Sequence, residues 1–162
     1  MALPNKIMAG FSASLYANPS STPLSVADLS TYMAVSAIAI EGNLVPVEAI
    51  PAFGQDDASA SFGVAGSRQS DKIPTQSAPT SMTITAAWNP ANEVLLALRA
   101  DAYSGLIDRT YVISATDGSN IVNYAFNGRV SEWKIDSQPN AEAKATFTIH
   151  PRGNQYGWSD ND

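Results

Sequence analysis

The single histidine of the chain, His150, is the first residue to consider for chemistry. It follows Ile149 in the alternating stretch 142–150 and falls on the polar side of that stretch. Ser-His-Asp chemistry would need a serine nucleophile held against the ring, and no G-x-S-x-G elbow frames one. We therefore interpret His150 as an exposed strand residue, and we expect no catalytic residue and no enzymatic activity.

Two acidic stretches invite comparison with metal sites. Asp56 and Asp57 are adjacent, so in an extended chain their carboxylates point to opposite sides. The stretch DGSN at 117–120 superficially resembles a calcium loop, but no distal glutamate follows, and a hairpin turn is the better interpretation. The chain has no cysteine, which excludes thiolate ligands and disulfides. We expect no metal and no cofactor.

Phosphate and sugar sites have equally weak support. The stretch GVAGSR at 63–68 has two residues between its glycines and lacks the Lys-Ser/Thr that a P-loop requires, so we interpret it as a flexible bend. Trp88 and Trp133 lie in strand patterns and are most simply core residues. Tyr156 and Trp158 could form a platform for a sugar, which keeps a carbohydrate-binding or adhesin β-sandwich open as an alternative.

Composition bounds the class of protein. The 162 residues suit one domain, and 44% of them are hydrophobic, enough for a core. Only 15% are charged, against about 25% in a typical domain, which fits either a surface that is partly covered in an assembly or a soluble β domain rich in Ser, Thr and Asn. The net charge of −6 argues against tight nucleic-acid binding. We find no signal peptide and no apolar run long enough to span a membrane.

The apolar pattern predicts a mainly β fold, an antiparallel β-sandwich or partly closed barrel with one flanking α-helix and a long extended loop. Asn89 and Pro90 should start the helix and Gly105 should end it, with Asp101 facing water. A β-bulge is expected near 128–131, because the alternation changes parity there. The tail after the last strand should dock through Tyr156 and Trp158 and then fray. The predicted strands cover residues 11–17, 31–42, 44–50 (an edge strand, because of Pro46), 81–88, 109–116, 121–135 and 142–150, with a helical turn in 23–30.

The order of elements in the second half resembles the tail tube (major tail) protein of long non-contractile-tailed, lambda-like bacteriophages. The strand TSMTITAAW (80–88) ends in Asn-Pro and leads into a leucine-rich helix. A tyrosine-bearing strand, an Asp-Gly turn, the strand FNGRVSEW (126–133) and the closing TIHPRG (148–153) follow. The resemblance covers roughly residues 44 to 153.

This resemblance implies a structural virion protein that assembles in the bacterial cytoplasm. Subunits would form hexameric rings, and the rings would stack head-to-tail into a tube that conducts double-stranded DNA into the host without specific binding. The implied partners are other copies of the chain and the tail-tip, tape-measure and tail-terminator proteins, with no membrane. We expect one tube domain over 1–162 and no immunoglobulin-like domain after it. The acidic balance favours a net negative lumen, with Thr83 and Thr85 or Lys144 and Thr146 as candidate linings.

The loop at 52–79 has no sustained period and is far longer than an ordinary connection. If it pairs back on itself as a hairpin arm, each leg would reach roughly 40 Å, enough to contact a neighbouring subunit. Arg68 and Lys72 could meet an acidic surface, and the alternative is a disordered loop without a partner. The expected apolar anchors of such an arm are Phe53, Phe62, Val64 and Ile73.

Two further interpretations stay open. A tube protein of a contractile phage tail or of a type VI-like secretion system would have the same kind of fold. An enzyme is the remaining class, and one histidine with no cysteine leaves it few catalytic groups.

Overall fold

The computed structural model describes residues 12–66, 68–116 and 121–160. Within these ranges the chain is built mainly of β-strands, with two α-helices and two short 3-10 turns, Asp28–Ser30 and Glu41–Asn43. The helices are α1 (Tyr32–Ser36) and α2 (Glu93–Ser104). The strands are β1 (Ser12–Ala17), β2 (Leu44–Val45), β3 (Gln55–Gly63), β4 (Ser70–Pro79), β5 (Met82–Ala87), β6 (Arg109–Thr116), β7 (Ile121–Asp136) and β8 (Lys144–Asp160).

Six of these strands form one curled antiparallel sheet in the order β2-β1-β6-β7-β8-β5. The short segment 44–48 touches both edges of that sheet. Val45 pairs with Leu15 on one edge, and Val47 bridges Ala86 on the other. The Glu48 amide also donates to the Thr85 carbonyl at 3.0 Å. The mainly β, partly closed architecture with a flanking helix is therefore confirmed.

The main core lies between one face of this sheet and α2. Leu95 and Leu98 of the helix are fully buried against apolar residues of the sheet, among them Phe126 and Phe147. The opposite face is covered in part by the segment around α1, whose Leu29, Val35 and Ile38 pack on β6 and β7. Because β6 is covered on both sides, its central residues are buried without alternation.

The stretch 31–42 was predicted as a strand, and this prediction is wrong. It forms α1 and runs into the 3-10 turn Glu41–Asn43. Val35 and Ile38, three residues apart, are both buried, which is helical spacing. The amide of the Asn43 side chain donates to the Ile38 carbonyl at 2.9 Å and fixes the end of this segment. The alanines of this stretch are compatible with both the helical and the strand period, so the sequence pattern could not distinguish a helix from a strand.

The helix α2 begins three residues later than predicted. Its N-cap is Asn92, whose side-chain oxygen accepts from the amides of Val94 at 3.0 Å and Leu95 at 3.3 Å. The oxygen of Asn89 instead accepts from the Ala91 amide within the preceding turn. The predicted end at Gly105 is confirmed, and its φ of 68° is a left-handed conformation that suits glycine.

Replacing this cap gives a direct stability prediction. Asn92→Ala leaves two helix amides without their acceptor, so we expect the free energy of unfolding to fall by about 1 kcal/mol. Asn89→Ala is the matched control and should cost clearly less. Urea unfolding followed by circular dichroism measures both, and equal losses would contradict the assignment of the cap to Asn92.

The pairing of β7 with β8 is irregular on both sides of the predicted bulge, between Phe126 and Gly128 and between Ser131 and Lys134. The second irregularity is a β-bulge directly after Ser131. Ser131 pairs with Thr148 and Lys134 pairs with Thr146, so β7 carries one extra residue between them. Glu132 has a φ of 57° at this point. The extra residue turns Trp133 toward the core, where its ring stacks on Phe147 at 5.3 Å.

The segment 151–160 was predicted as a tail beyond the last strand, whereas its backbone continues that strand. Strand β8 continues to Asp160, which pairs with Val122 of β7. The sugar platform considered for Tyr156 and Trp158 concerns side chains outside the described part of the structure. The predicted hairpin turn at 117–120 also lies outside the described residues, although β6 and β7 pair as antiparallel neighbours on either side of it.

Candidate assembly surface

The most extended feature of the molecule is a two-stranded hairpin of β3 and β4, residues 55–79, which we call the arm. Gln55 pairs with Pro79 at its base and Gly63 pairs with Ser70 near its end. The nine residues of β3 span about 30 Å. Every residue of β3 is exposed, and β4 is exposed up to its last residue. An isolated two-stranded hairpin is only marginally stable in water, so a surface that covers the arm would stabilise it.

The base of the arm is tied to its own subunit. The Thr80 amide donates to the Gly54 carbonyl at 3.0 Å, and the Thr80 hydroxyl donates to the Asp56 carboxylate at 3.2 Å. Phe53 packs against the main core and stacks on Tyr124, with ring centroids 5.3 Å apart. Phe53, which was predicted as a contact with a neighbour, is partly buried and anchors the arm to its own core, and its contact with a neighbour stays a prediction.

The outer end of the arm carries the remaining predicted contact residues. The exposed fractions are 65% for Phe62, 57% for Val64 and 56% for Ile73. Phe62 pairs with Asp71 and Ala60 pairs with Ile73, so Phe62 and Ile73 share one face of the hairpin. Lys72 lies on the other face, and Arg68 lies in the connecting loop. The arm thus ends in a face that carries Phe62, Ile73 and the Asp71 carboxylate, with Lys72 on the opposite face and Arg68 in the loop.

A second exposed surface lies on the main sheet, where part of the face opposite α2 is lined by hydroxyls. We call this the hydroxyl face. Its centre is His150, which is exposed as predicted. The ring nitrogens of His150 lie 3.0 Å from the Ser81 hydroxyl and 2.7 Å from the Ser131 hydroxyl. The hydroxyl residues on this side of the sheet are Ser81, Thr83, Thr85, Ser131, Thr146 and the buried Thr148.

Charges around the hydroxyl face nearly balance. The Asp108 carboxylate binds Arg129 at 2.6 Å and lies 3.6 Å from Arg152. Lys144 and Glu48 form a further ion pair at 2.5 Å, and Glu48, followed by Glu142 and Asp136, raises the pKa of Lys144. Strand pairing adds Lys134 and the Glu132 carboxylate, which accepts from Thr148. These four basic and five acidic side chains make the face slightly acidic.

A buried ion pair, absent from the sequence predictions, links α2 to the sheet. Asp101 was predicted to face water, but it is only 3% exposed. Arg109 donates from Nε to one oxygen of Asp101 at 2.5 Å and from Nη2 to the other at 3.0 Å. A third bond, at 2.7 Å, reaches the Asn18 carbonyl beside β1. Hydrogen bonding to Asp101 raises the pKa of Arg109 above its usual value, so the pair stays ionised.

Burial, and secondarily the Asp101 carboxylate, raise the pKa of Tyr111 well above its usual value. The folded phenol then stays neutral at a pH where the unfolded phenol ionises. This contribution to stability is complete below about pH 10 and is lost above it, by up to about 1.4 kcal/mol per pH unit.

Tyr111→Phe should remove this alkaline loss. We expect the difference in unfolding free energy between wild type and variant to be constant up to about pH 10 and to shift in favour of the variant above it. Urea titrations between about pH 8 and 11 measure the difference, and parallel curves for the two proteins would contradict it.

The structure shows a cavity of about 250 Å³ between α2, the end of β1 and the 3-10 turn Glu41–Asn43. Its charged lining residues are Glu93 and Arg109, and the Arg109 guanidinium already binds Asp101 and Asn18.

Within 12–66, 68–116 and 121–160, no three His, Cys, Asp or Glu side chains cluster as metal ligands do. In the same ranges, no helix has the length and apolar character that crossing a membrane needs.

Comparison with known proteins gives a clear result only at the level of structure. No protein-family model matches the chain, and no curated protein matches it in sequence. Solved structures do match it, however, over nearly its whole length.

Three of these structures illustrate the range. The sheath/tube terminator structure of the PVC extracellular contractile injection system is similar over 96% of this chain and 99% of its own, with a TM-score of 0.65 and 11% identity. The tube-terminating cap of the anti-feeding prophage is similar over 98% of this chain and 93% of its own, with a TM-score of 0.62 and 12% identity. The SPP1 tail tube is similar over 93% of this chain and 76% of its own, with a TM-score of 0.52 and 10% identity. At these identities the likeness shows the fold, and it does not single out the lambda-like group.

Proposed function

We propose that the chain is a non-enzymatic structural subunit of a phage tail tube, located in the virion tail. The observation that carries this proposal is the fold, which matches tube and tube-terminating proteins across almost the entire chain. The low content of charged residues fits a surface that is largely covered by neighbouring copies.

In the proposed assembly, six subunits form a ring and rings stack head-to-tail. Such stacking is a heterologous contact, which repeats without closing and therefore builds a tube. The arm supports this arrangement because it extends about 30 Å and presents exposed apolar residues and strand edges to a neighbour. Assembly would take place in the bacterial cytoplasm, with tail-tip, tape-measure and tail-terminator proteins as the other partners.

We further propose that the hydroxyl face lines the channel. The opposite face of the sheet is buried under α2, so it has no surface to offer a passing molecule. A slightly acidic, hydroxyl-rich wall does not attract the phosphates of double-stranded DNA, so the DNA would slide without being held. The small excess of acids on this face agrees with the expectation of a net negative lumen.

Sedimentation velocity across a concentration series tests the self-assembly. We expect the purified chain to shift from monomer to hexameric or larger species with a sharp concentration dependence. A carbohydrate-binding module would instead remain a monomer at every concentration, and that result would contradict the proposal.

A tube-terminating ring of a contractile injection system is a second candidate, because two of the matching structures contain such terminators. The two candidates differ in one property. A tube subunit adds ring on ring, whereas a terminator would stop at a single ring. Species larger than one ring in the same sedimentation series would therefore favour the tube subunit.

A further inference from the structure

We propose that the end of the arm docks on a particular surface of a second copy of the chain, the outer side of residues 26–44. This contact rests on the proposed self-assembly and adds to it the place where the arm binds. The outer end of the arm, residues 62–66 and 68–73, is called the arm tip. The surface formed by exposed side chains of residues 26–44 is called the receiving surface.

The receiving surface is apolar on the side that faces away from its own core. Residues of this segment such as Leu29 and Val35 are buried against the sheet, which accounts for the inner side. On the outer side, Met33 is 75% exposed, Val26 is 57% exposed and Ile40 is 53% exposed. Exposed apolar side chains gathered in one short segment are typical of an interaction site.

The segment that carries this surface is held firmly on the sheet. The Leu24 amide donates to the Thr110 hydroxyl at 2.9 Å, and the Asn127 side chain donates to the Leu24 carbonyl at 2.9 Å. The Thr110 hydroxyl donates in turn to the Asn127 oxygen at 2.6 Å. A partner that binds here therefore meets a preformed surface and does not have to order it, which lowers the cost of binding.

Charge identifies the arm tip as the occupant. Residues 12–50 contain three acidic residues and no lysine or arginine. Of the three, Glu48 pairs with Lys144, whereas Asp28 and Glu41 form no ion pair within the described residues. The arm tip carries Arg68 and Lys72 against a single acid, a local positive excess in a chain of net charge −6. The arm tip therefore has a net positive charge and the receiving surface a net negative one, which favours this contact, with Asp71 on the face of Phe62 and Ile73 and Lys72 on the other face.

The other exposed apolar patch fits the arm tip less well. Tyr103 and Leu106, at the end of α2, are 76% and 77% exposed. The nearby acids already bind arginines, since Asp101 holds Arg109 and Asp108 holds Arg129. Basic groups of the arm tip would find no such unpaired carboxylate there.

The arm tip does not dock on the receiving surface of its own chain, because the apolar residues of both surfaces are exposed. The two surfaces differ and lie on different parts of the molecule. A contact between them is heterologous, so each copy can bind one neighbour with its arm and receive another arm in turn.

Charge reversal tests the contact by its effect on the concentration needed for assembly. Arg68→Glu with Lys72→Glu should raise that concentration ~10-fold or more, because like charges then face each other. Asp28→Lys with Glu41→Lys should do the same, and the four changes together should restore assembly near the wild-type concentration. Glu93→Lys with Glu142→Lys, two exposed acids elsewhere, is the matched control for net charge. Failure of the fourfold variant to recover, with wild type assembling, would overturn the contact.

Disulfide trapping tests the same contact without reference to tube growth. The chain has no cysteine, so Ile73→Cys on one copy and Met33→Cys on another provide the only thiols in a mixture. We expect this pair to cross-link ~10-fold faster than Ile73→Cys mixed with Tyr103→Cys, because docking raises the effective concentration of the thiols. Equal rates in a chain that assembles would overturn the docking surface and leave the proposed function standing. A chain that never associates would contradict both.

Discussion

A chain whose arm is replaced by a tight turn should fold normally and no longer assemble. Asp57 pairs with Ser77, so residues 58–76 can be exchanged for Asn-Gly, which favours a two-residue hairpin turn. None of the described residues in the removed part is buried, so the melting temperature should stay within a few degrees of wild type. Assembly should be lost, because the shortened chain cannot reach a neighbour. Calorimetry and sedimentation velocity measure the two properties on the same samples.

Variants that keep the full length of the arm serve as controls. Phe62→Ser with Ile73→Ser removes the apolar side chains from one face and should weaken assembly strongly. Ser59→Ala with Ser61→Ala changes the other face and should assemble like wild type. If the chain without its arm still forms large species, the arm has no role in assembly.

The second large effect is expected at the buried ion pair. Asp101→Ala leaves the Arg109 guanidinium buried with the Asn18 carbonyl as its one remaining hydrogen-bond partner among the described residues. Removing one member of a buried pair typically costs 3–5 kcal/mol, roughly, since the other charge stays uncompensated. We therefore expect the free energy of unfolding to drop by about this amount in urea titrations.

Two further variants separate burial from charge. Glu48→Ala breaks the pair with Lys144, whose side chains are 39% and 49% exposed, and should change stability by little more than the measurement error. Asp101→Leu with Arg109→Met removes both buried charges and should recover much of the loss. A small effect of Asp101→Ala alone would show that the pair is not buried in solution.

The alternation of apolar and polar residues correctly predicted strands that bury only one face. Strand β5 alternates Met82, Ile84 and Ala86 inward with threonines outward, and the structure buries the first three. The same rule failed at 31–42, where small alanines are compatible with both periods and a covering layer decided the outcome. The choice between Asn89 and Asn92 as the N-cap also depended on geometry that spacing alone does not contain.

The arm shows why a strand can escape prediction from sequence. Its strands are exposed on both faces, so neither face has to be apolar and the alternation disappears. The same two-sided exposure is the reason why we propose the arm as a contact surface. Asp101 was missed for a different reason. A carboxylate near a helix end is normally exposed, and the sequence does not show that Arg109 lies next to it in the fold.

The receiving surface could not be inferred from sequence because it depends on which side of residues 26–44 meets the sheet. Once Leu29 and Val35 are placed inside, the exposure of Met33 and Ile40 follows.

Electron cryo-microscopy of the purified chain, at concentrations where sedimentation shows association, tests the central claim most directly. We predict hollow stacks of six-fold rings, with the hydroxyl face around the channel and each arm tip on the receiving surface of a neighbouring subunit. Particles without a channel, or monomers alone at every concentration reached, would contradict the account.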